Sequence, residues 1–243
     1  MVPMKPLNCL ASRIVTAALA AVSLVAMAES PAAGKAAAPP VNSAMDSNLF
    51  YQVLLGDLKV EDGDPGAGYF RILDAARKTN DPGLYRRAVD IALQARSGES
   101  ALQAARAWKQ ALPNSREANQ LVLQILIALN RIGDTTQPLK ADIALAAPDE
   151  HNLAILAIPR LYARAADKKL AASGVEKALS DELDKPATGA AAWTTVGRMR
   201  LVAGDTAGAL EAARRGQALE PASEGPALLA LELMGPKVPQ AEP

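Results

Sequence analysis

From Leu49 onward, apolar residues recur three and four positions apart in successive stretches, each closed by a short polar turn. That spacing lays the apolar side chains along one face of an α-helix. Phe50, Leu54 and Leu58 mark one helix, and Phe70 and Leu73 mark the next across the loop Glu61-Asp62-Gly63-Asp64-Pro65. Tyr85, Ala88 and Ala92 define a third helix, and Ala101, Ala105 and Trp108 a fourth. Between Arg116 and Pro148 the first helix is apolar almost all round, through Leu121, Val122, Leu123, Ile125, Leu126, Ile127 and Leu129, before a turn at Gly133-Asp134. Such a helix is contacted from several sides, as in the middle of a stack. Pro82, Pro113, Pro148, Pro186 and Pro221 each follow an Ala- and Leu-rich stretch, at separations of 31, 35, 38 and 35 residues. Proline ends one helix and pre-sets the start of the next. A period of about 34 residues is that of a repeated helical hairpin. The pattern predicts an all-α solenoid of about five helix-turn-helix units over residues 49–235, with a further short helix at 227–234.

The fifth unit carries the most specific pattern. Trp193, Val196, Gly197, Gly204, Ala209, Ala213, Leu219 and Pro221 stand at the spacing of a tetratricopeptide unit, and the chain resembles that repeat family. Trp193 and Val196 supply the apolar face of the first helix, while Gly197 sits where a side chain would obstruct the second. Gly204-Asp205 forms the turn, using glycine's access to positive φ and aspartate's capping of the helix that follows. Ala209 is the small residue at the closest approach. The unit from Asp149 to Pro186 departs furthest from this pattern: it is long, and Pro159 inside its first helix predicts a kink.

Composition supports this architecture and narrows the function. Half of the residues are hydrophobic but only 3% are aromatic, so the apolar mass sits in Ala, Leu, Ile and Val, and Ala and Leu are strong helix formers. Basic and acidic residues number 26 each, which leaves no overall field to gather nucleic acid. Arg86-Arg87 and Arg214-Arg215 read as solvated helix faces. His151 is the sole histidine and Cys9 the sole cysteine, so histidine triads and nitrogen–sulfur metal sites cannot be assembled. His151 reads as a polar residue in the first turn of a helix. Glu61, Asp62 and Asp64 lack the glycine spacing and distal glutamate of a calcium loop and read as a solvated turn. No glycine-rich phosphate loop appears. The expectation is a protein that is not an enzyme, with no catalytic residue, cofactor or metal.

Residues 1–28 combine a basic start at Lys5 and Arg13, an apolar run from Ile14 to Ala26, and the triplet Ala26-Met27-Ala28. This is the layout of a cleaved signal peptide. The run is short of the roughly 20 residues a spanning helix needs, so no transmembrane segment is expected in the mature chain. Cys9 precedes the run, whereas a lipid-bearing cysteine follows it, so the expected location is the periplasm and not an outer-membrane lipid anchor. Residues 29–48, rich in Ala, Pro, Gly and Ser, read as a flexible spacer, and 236–243 as a C-terminal tail.

Stacked tetratricopeptide units form a superhelix whose concave wall is lined by the first helix of each pair. The resemblance carries the family's binding positions onto Arg86 and Asp90 in the second unit, Gln120 and Gln124 in the third, and Thr194 and Arg198 in the fifth. Each pair is spaced i, i+4 and faces one way; the implied partner is a protein or peptide. The lysine–asparagine clamp with which some members hold a chaperone's terminal carboxylate is not matched, so a co-chaperone role is not expected. Tyr51-x-x-Leu54-Leu55-Gly56-Asp57-Leu58, then Asp81-Pro82 followed by Arg86-Arg87-Ala88-x-x-Ile91-Ala92-Leu93, and finally Pro236-Lys237-Val238-Pro239-Gln240-Ala241 are similar to stretches of a narrower group. These are the tetratricopeptide lipoproteins of Gram-negative bacteria that act as adaptors of a carboxy-terminal processing protease. That resemblance implies a periplasmic scaffold that assembles with an envelope protease and presents cell-wall hydrolases to it. The alternatives are a structural component of an envelope assembly and a cell-wall-modifying hydrolase working through the loop acids.

Overall fold

The computed structural model describes residues 46–234, and every α-helix or 3-10 turn among them belongs to one linear series. The predicted signal peptide, the spacer up to Met45 and the C-terminal tail lie outside the described residues. The helices are α1 (Ser47–Glu61), α2 (Pro65–Thr79), α3 (Pro82–Gln94), α4 (Gly98–Ala111), α5 (Arg116–Ala128), α6 (Thr136–Ala144), α7 (His151–Leu161), α8 (Lys168–Leu179), α9 (Gly189–Val202), α10 (Thr206–Leu219) and α11 (Glu224–Leu233). α1–α2, α3–α4, α5–α6 and α9–α10 pair as hairpins, and α2–α3, α4–α5 and α8–α9 pack across successive pairs. The fourth pair is the exception: α7 barely touches α6 and α8 and leans on α9, while α8 packs on both α6 and α9. Helix α11 packs on α9 and α10 as the first helix of a sixth pair would.

Local chemistry sets the boundaries. Asp46, Asp64, Asp81, Ser115, Asp167 and Asp205 each cap a helix by accepting a hydrogen bond from the backbone N–H three residues on. Each such cap contributes about 1 kcal/mol. Asp46 therefore starts α1 at Ser47, and the last two residues of the expected spacer are helical. Pro65 and Pro82 occupy first helical positions, where no amide hydrogen is needed. Gly204 has φ of +86° in the α9–α10 turn, the left-handed conformation its position demands.

Two large apolar clusters meet at α5. Val122, Ile125 and Leu126 join residues of α2–α4, where Tyr85 and Trp108 stack with ring centroids 6.4 Å apart. Leu123 and Ile127 join the cluster running through α6–α9. The continuous apolar run of α5 thus corresponds to contact on two sides. In the fifth hairpin a Cβ at Gly197 would overlap Leu229 of α11 and come within 3.2 Å of the Ala212 Cβ of α10. The glycine serves both neighbours, not the second helix alone.

One expectation needs correction. Phe50, Leu54, Leu58 and Phe70 are exposed; α1 instead buries Leu49 and Gly56. The reason is the close α1–α2 approach: a Cβ on Gly56 would stand 2.8 Å from Ile72, and one on Gly68 would overlap Val60. Pro159 lies in the last turn of α7, which ends two residues later at Leu161. Having no N–H, it leaves the Ile155 carbonyl without a helical donor. The buried Thr195 hydroxyl of α9 donates to that carbonyl at 2.9 Å.

Candidate functional site

The loose α6–α7 junction opens a cleft of about 360 Å³ between α5 and α7, floored by α6. Its wall on α5 is Arg116, Gln120 and Gln124, an i, i+4, i+8 stripe on one face of the helix. The opposite wall is Ala154, Ala157 and Ile158 of α7, and the floor is Leu139 and Ile143 of α6. Two features keep it open: α6 is only nine residues long, and the facing positions of α7 carry alanine. Below it, buried Asn119 donates its Nδ2 hydrogen to the Pro138 carbonyl at 2.8 Å and accepts from Lys109, fixing α5 on α6. Burial of the Lys109 ammonium pushes its pKa down.

Arg116 anchors the polar rim. Its Nη1 donates to Glu150 Oε2 at 2.8 Å, and its Nε lies 3.5 Å from Asp142 Oδ1. Neither Nε nor Oδ1 makes a hydrogen bond, although both atoms are buried. The two atoms face each other as an ion pair without hydrogen-bond geometry. Arg160 stands exposed at the same rim.

The binding positions carried from sequence fall into three places. Gln120 and Gln124 come together in the cleft. Arg86 is exposed on α3 and its Nη1 reaches Glu117 Oε1 of α5 at 2.6 Å, while Asp90 is half-buried on the same helix. Thr194 is fully buried: its hydroxyl donates to the Ala190 carbonyl at 2.7 Å, and Gly225 of α11 packs over it. Arg198 is half-buried and pairs with Glu232 of α11 at 3.6 Å. Arg116, Asp142, Ala154 and Ala157 were not singled out in the sequence, though the polar i, i+4, i+8 stripe on an otherwise apolar α5 points to the first of them.

Two displaced titrating groups outside the cleft serve packing. The Tyr162 hydroxyl is pushed up to about 12 by burial, against the opposing effect of its 2.7 Å bond to Thr135 Oγ1. Glu182, although desolvated, is held below its ordinary value by hydrogen bonds from Lys185 and Thr188. Among the described residues no group of three His, Cys, Asp or Glu side chains could hold a metal, and no helix is long and apolar enough to cross a membrane.

No protein-family model and no curated protein matches the sequence. Solved structures do. MamA of Desulfovibrio magneticus RS-1, from residue 41 to its end, is 16% identical over 74% of this chain and 99% of that one, with a TM-score of 0.41. PilW, a type IV pilus biogenesis factor, is 18% identical over 77% and 85%, with a TM-score of 0.35. TTC0263, a tetratricopeptide protein of Thermus thermophilus, is 15% identical over 76% and 98%, with a TM-score of 0.34. The fold is a tetratricopeptide-like solenoid. It is built from the serial helical hairpins, the capped turns and the close α9–α10 approach, where a Cβ on Gly197 would stand 3.3 Å from the Ala209 carbonyl oxygen.

Proposed function

We propose that the protein is a non-enzymatic interaction scaffold of the periplasm that holds an extended segment of a partner protein in the α5–α7 cleft. The observation that carries this reading is the combination of an apolar floor with the Gln120–Gln124 stripe along one wall of the cleft. Each glutamine amide both donates and accepts. Four residues along a helix advance about 6 Å, and two residues of an extended peptide advance about 6.6 Å. The two amides therefore match the backbone groups of alternate residues of a bound strand, whose side chains would settle on Leu139 and Ile143. The export-signal pattern of residues 1–28 supports the periplasmic setting, and the adaptor resemblance supports a role in presenting envelope proteins to a processing protease.

Ala157 is exposed on the cleft wall, so Ala157→Trp fills the cleft without entering the core. Peptides selected on the purified protein from a displayed random library should bind the variant at least tenfold more weakly. Undiminished affinity would reject the cleft. Arg86→Ala with Arg198→Ala, placed outside it, should leave the same peptides bound; their loss would move the site to the wider wall. For the adaptor role, cross-linking in a Gram-negative periplasm should join the protein to a protease, and the Ala157→Trp variant should lose that protease's substrates while keeping the protease.

A further inference from the structure

Resting on the reading of the α5–α7 cleft as the partner site, we infer that the cleft discriminates by charge along its length. It takes an extended segment with an apolar middle and acidic side chains at the end that lies on the last turn of α7. Helices α5 and α7 run side by side in the same direction. At their starts, Arg116 of α5 reaches Glu150, the residue before α7, at 2.8 Å. Beyond their ends, Asn130 Oδ1 accepts from the Ala166 amide at 3.2 Å. From Glu150 to Arg160 is roughly 15 Å of helix, longer than the Debye length of about 8 Å at physiological ionic strength. A bound segment therefore meets two separate electrostatic environments.

Those environments have opposite sign. At the far end Arg160 lines the cleft and is exposed, Arg164 is exposed in the turn that follows, and Lys168 Nζ donates to the Ala163 carbonyl at 2.6 Å. None of the three has an ion-pair partner among the described residues. Asp167 caps α8, and Arg131, just past α5, is paired with Asp134 and with Glu99 of α4. Each helix C-terminus offsets only about half a charge, so the α7 end stays positive. At the near end two carboxylates, Asp142 and Glu150, share the guanidinium of Arg116, and Asp149 is exposed beside them without an ion pair. The two helix N-termini return about one positive charge, and this end stays negative.

Gln120 and Gln124 lie between the two ends and are uncharged, so they accept a backbone running either way. The flanking charges choose. About five residues of extended chain span the distance. A segment with Asp or Glu at the Arg160 end gains the cations, and a guanidinium can take a carboxylate through two parallel N–H bonds. Reversed, the same segment sets its acids beside Asp142, Asp149 and Glu150 and is repelled, which fixes direction as well as composition.

Peptides selected on the purified protein from a displayed random library should carry Asp and Glu clustered at one end of an apolar stretch. Arg160→Glu with Arg164→Glu should weaken them on the order of tenfold, since each exposed ion pair contributes up to about fivefold. Used for selection, that variant should return peptides without the acidic end. Arg160→Lys should keep the acidic preference. Both arginines are exposed and unpaired, so helix content should not change. A photoreactive group beside the peptide's acids should label residues 160–168 and not 149–154. Failure to select any peptide, or peptides that Ala157→Trp does not weaken, would reject the cleft itself. Peptides that Ala157→Trp weakens, but that lack an acidic end or bind the charge-reversed variant equally well, overturn the charge discrimination and leave the cleft standing.

Discussion

The fifth hairpin and the α5–α7 junction are variants of one repeat, yet they use their first helices in opposite ways. In the fifth hairpin α9 is buried almost all round, from Ala190 through Trp193, Thr194, Thr195, Val196 and Gly197 to Met199. Helix α10 covers one side, α11 another, and Arg215 lies 4.9 Å over the Trp193 ring. In the fourth pair α7 buries only Ile155 and Ile158, and its neighbour α6 is too short to close against it. Where the repeat pattern is complete, packing consumes the positions that would face a partner. Where it degenerates, those positions stay open, and the cleft proposed to hold a partner lies at the irregular unit.

Removing the indole of the fifth hairpin should break this contrast most severely. Trp193→Ala deletes an indole buried between α9 and its neighbours, a loss of about 3–5 kcal/mol. Solenoid stability is largely local, so hydrogen exchange should speed up in α8–α11 while α2–α5 keep their protection. Equal loss along the whole chain would mean that the two large clusters unfold as one.

The next effect tests how the irregular unit is tied to the regular one. Thr195→Val leaves the Ile155 carbonyl buried without a donor, which costs about 1–3 kcal/mol. Pro159→Ala restores an amide hydrogen to that carbonyl, so the cost of Thr195→Val should fall by more than half in that background. Equal costs in urea titrations of both backgrounds would show that the Thr195 bond does not compensate for the proline.

A smaller effect depends on pH. Glu182 sits before α9, where desolvation would raise its pKa; the 2.8 Å bonds from Lys185 Nζ and Thr188 Oγ1 outweigh this and hold it below its ordinary 4.5. A depressed folded pKa means the unfolded chain binds the proton first. The contribution is therefore complete above the ordinary carboxylate value and disappears as pH falls through the folded one. The melting temperature of Glu182→Gln should be lower than that of the parent at neutral pH, and the two should converge in acid. Parallel curves would remove Glu182 from the account.

Hairpin boundaries were legible because they are written in local chemistry: the Asp-Pro starts at 64–65 and 81–82, the Gly204-Asp205 turn, and the buried Tyr85, Ala88, Ala101, Ala105 and Trp108. What depends on distant helices was not. Nothing in Thr194 tells that Gly225 will pack over it, and nothing in Phe50 tells that its side of α1 meets no described helix, because an i, i+4 pattern marks an apolar face without saying what occupies it. Gln120 and Gln124 were legible as polar positions on an apolar helix; their grouping with Asp142 and Ala157 comes from the shortness of α6, a tertiary fact.

The smallest expected change in stability is the one that separates packing from binding. Gln120→Ala with Gln124→Ala alters cleft side chains that support no other helix, so stability should stay within about 0.5 kcal/mol. Library-selected peptides should nonetheless bind roughly tenfold more weakly, since each lost hydrogen bond is worth about 0.5–1.5 kcal/mol. Thr194→Ala, at the equivalent motif position of the sealed hairpin, should do the opposite: it disturbs the packing of α11 on α9 and leaves peptide affinity unchanged. Calorimetry and a binding titration on these two variants place each first helix on one side of the comparison. A Thr194→Ala variant that loses peptide would show that the fifth hairpin opens in solution and that its wall belongs to the binding surface after all.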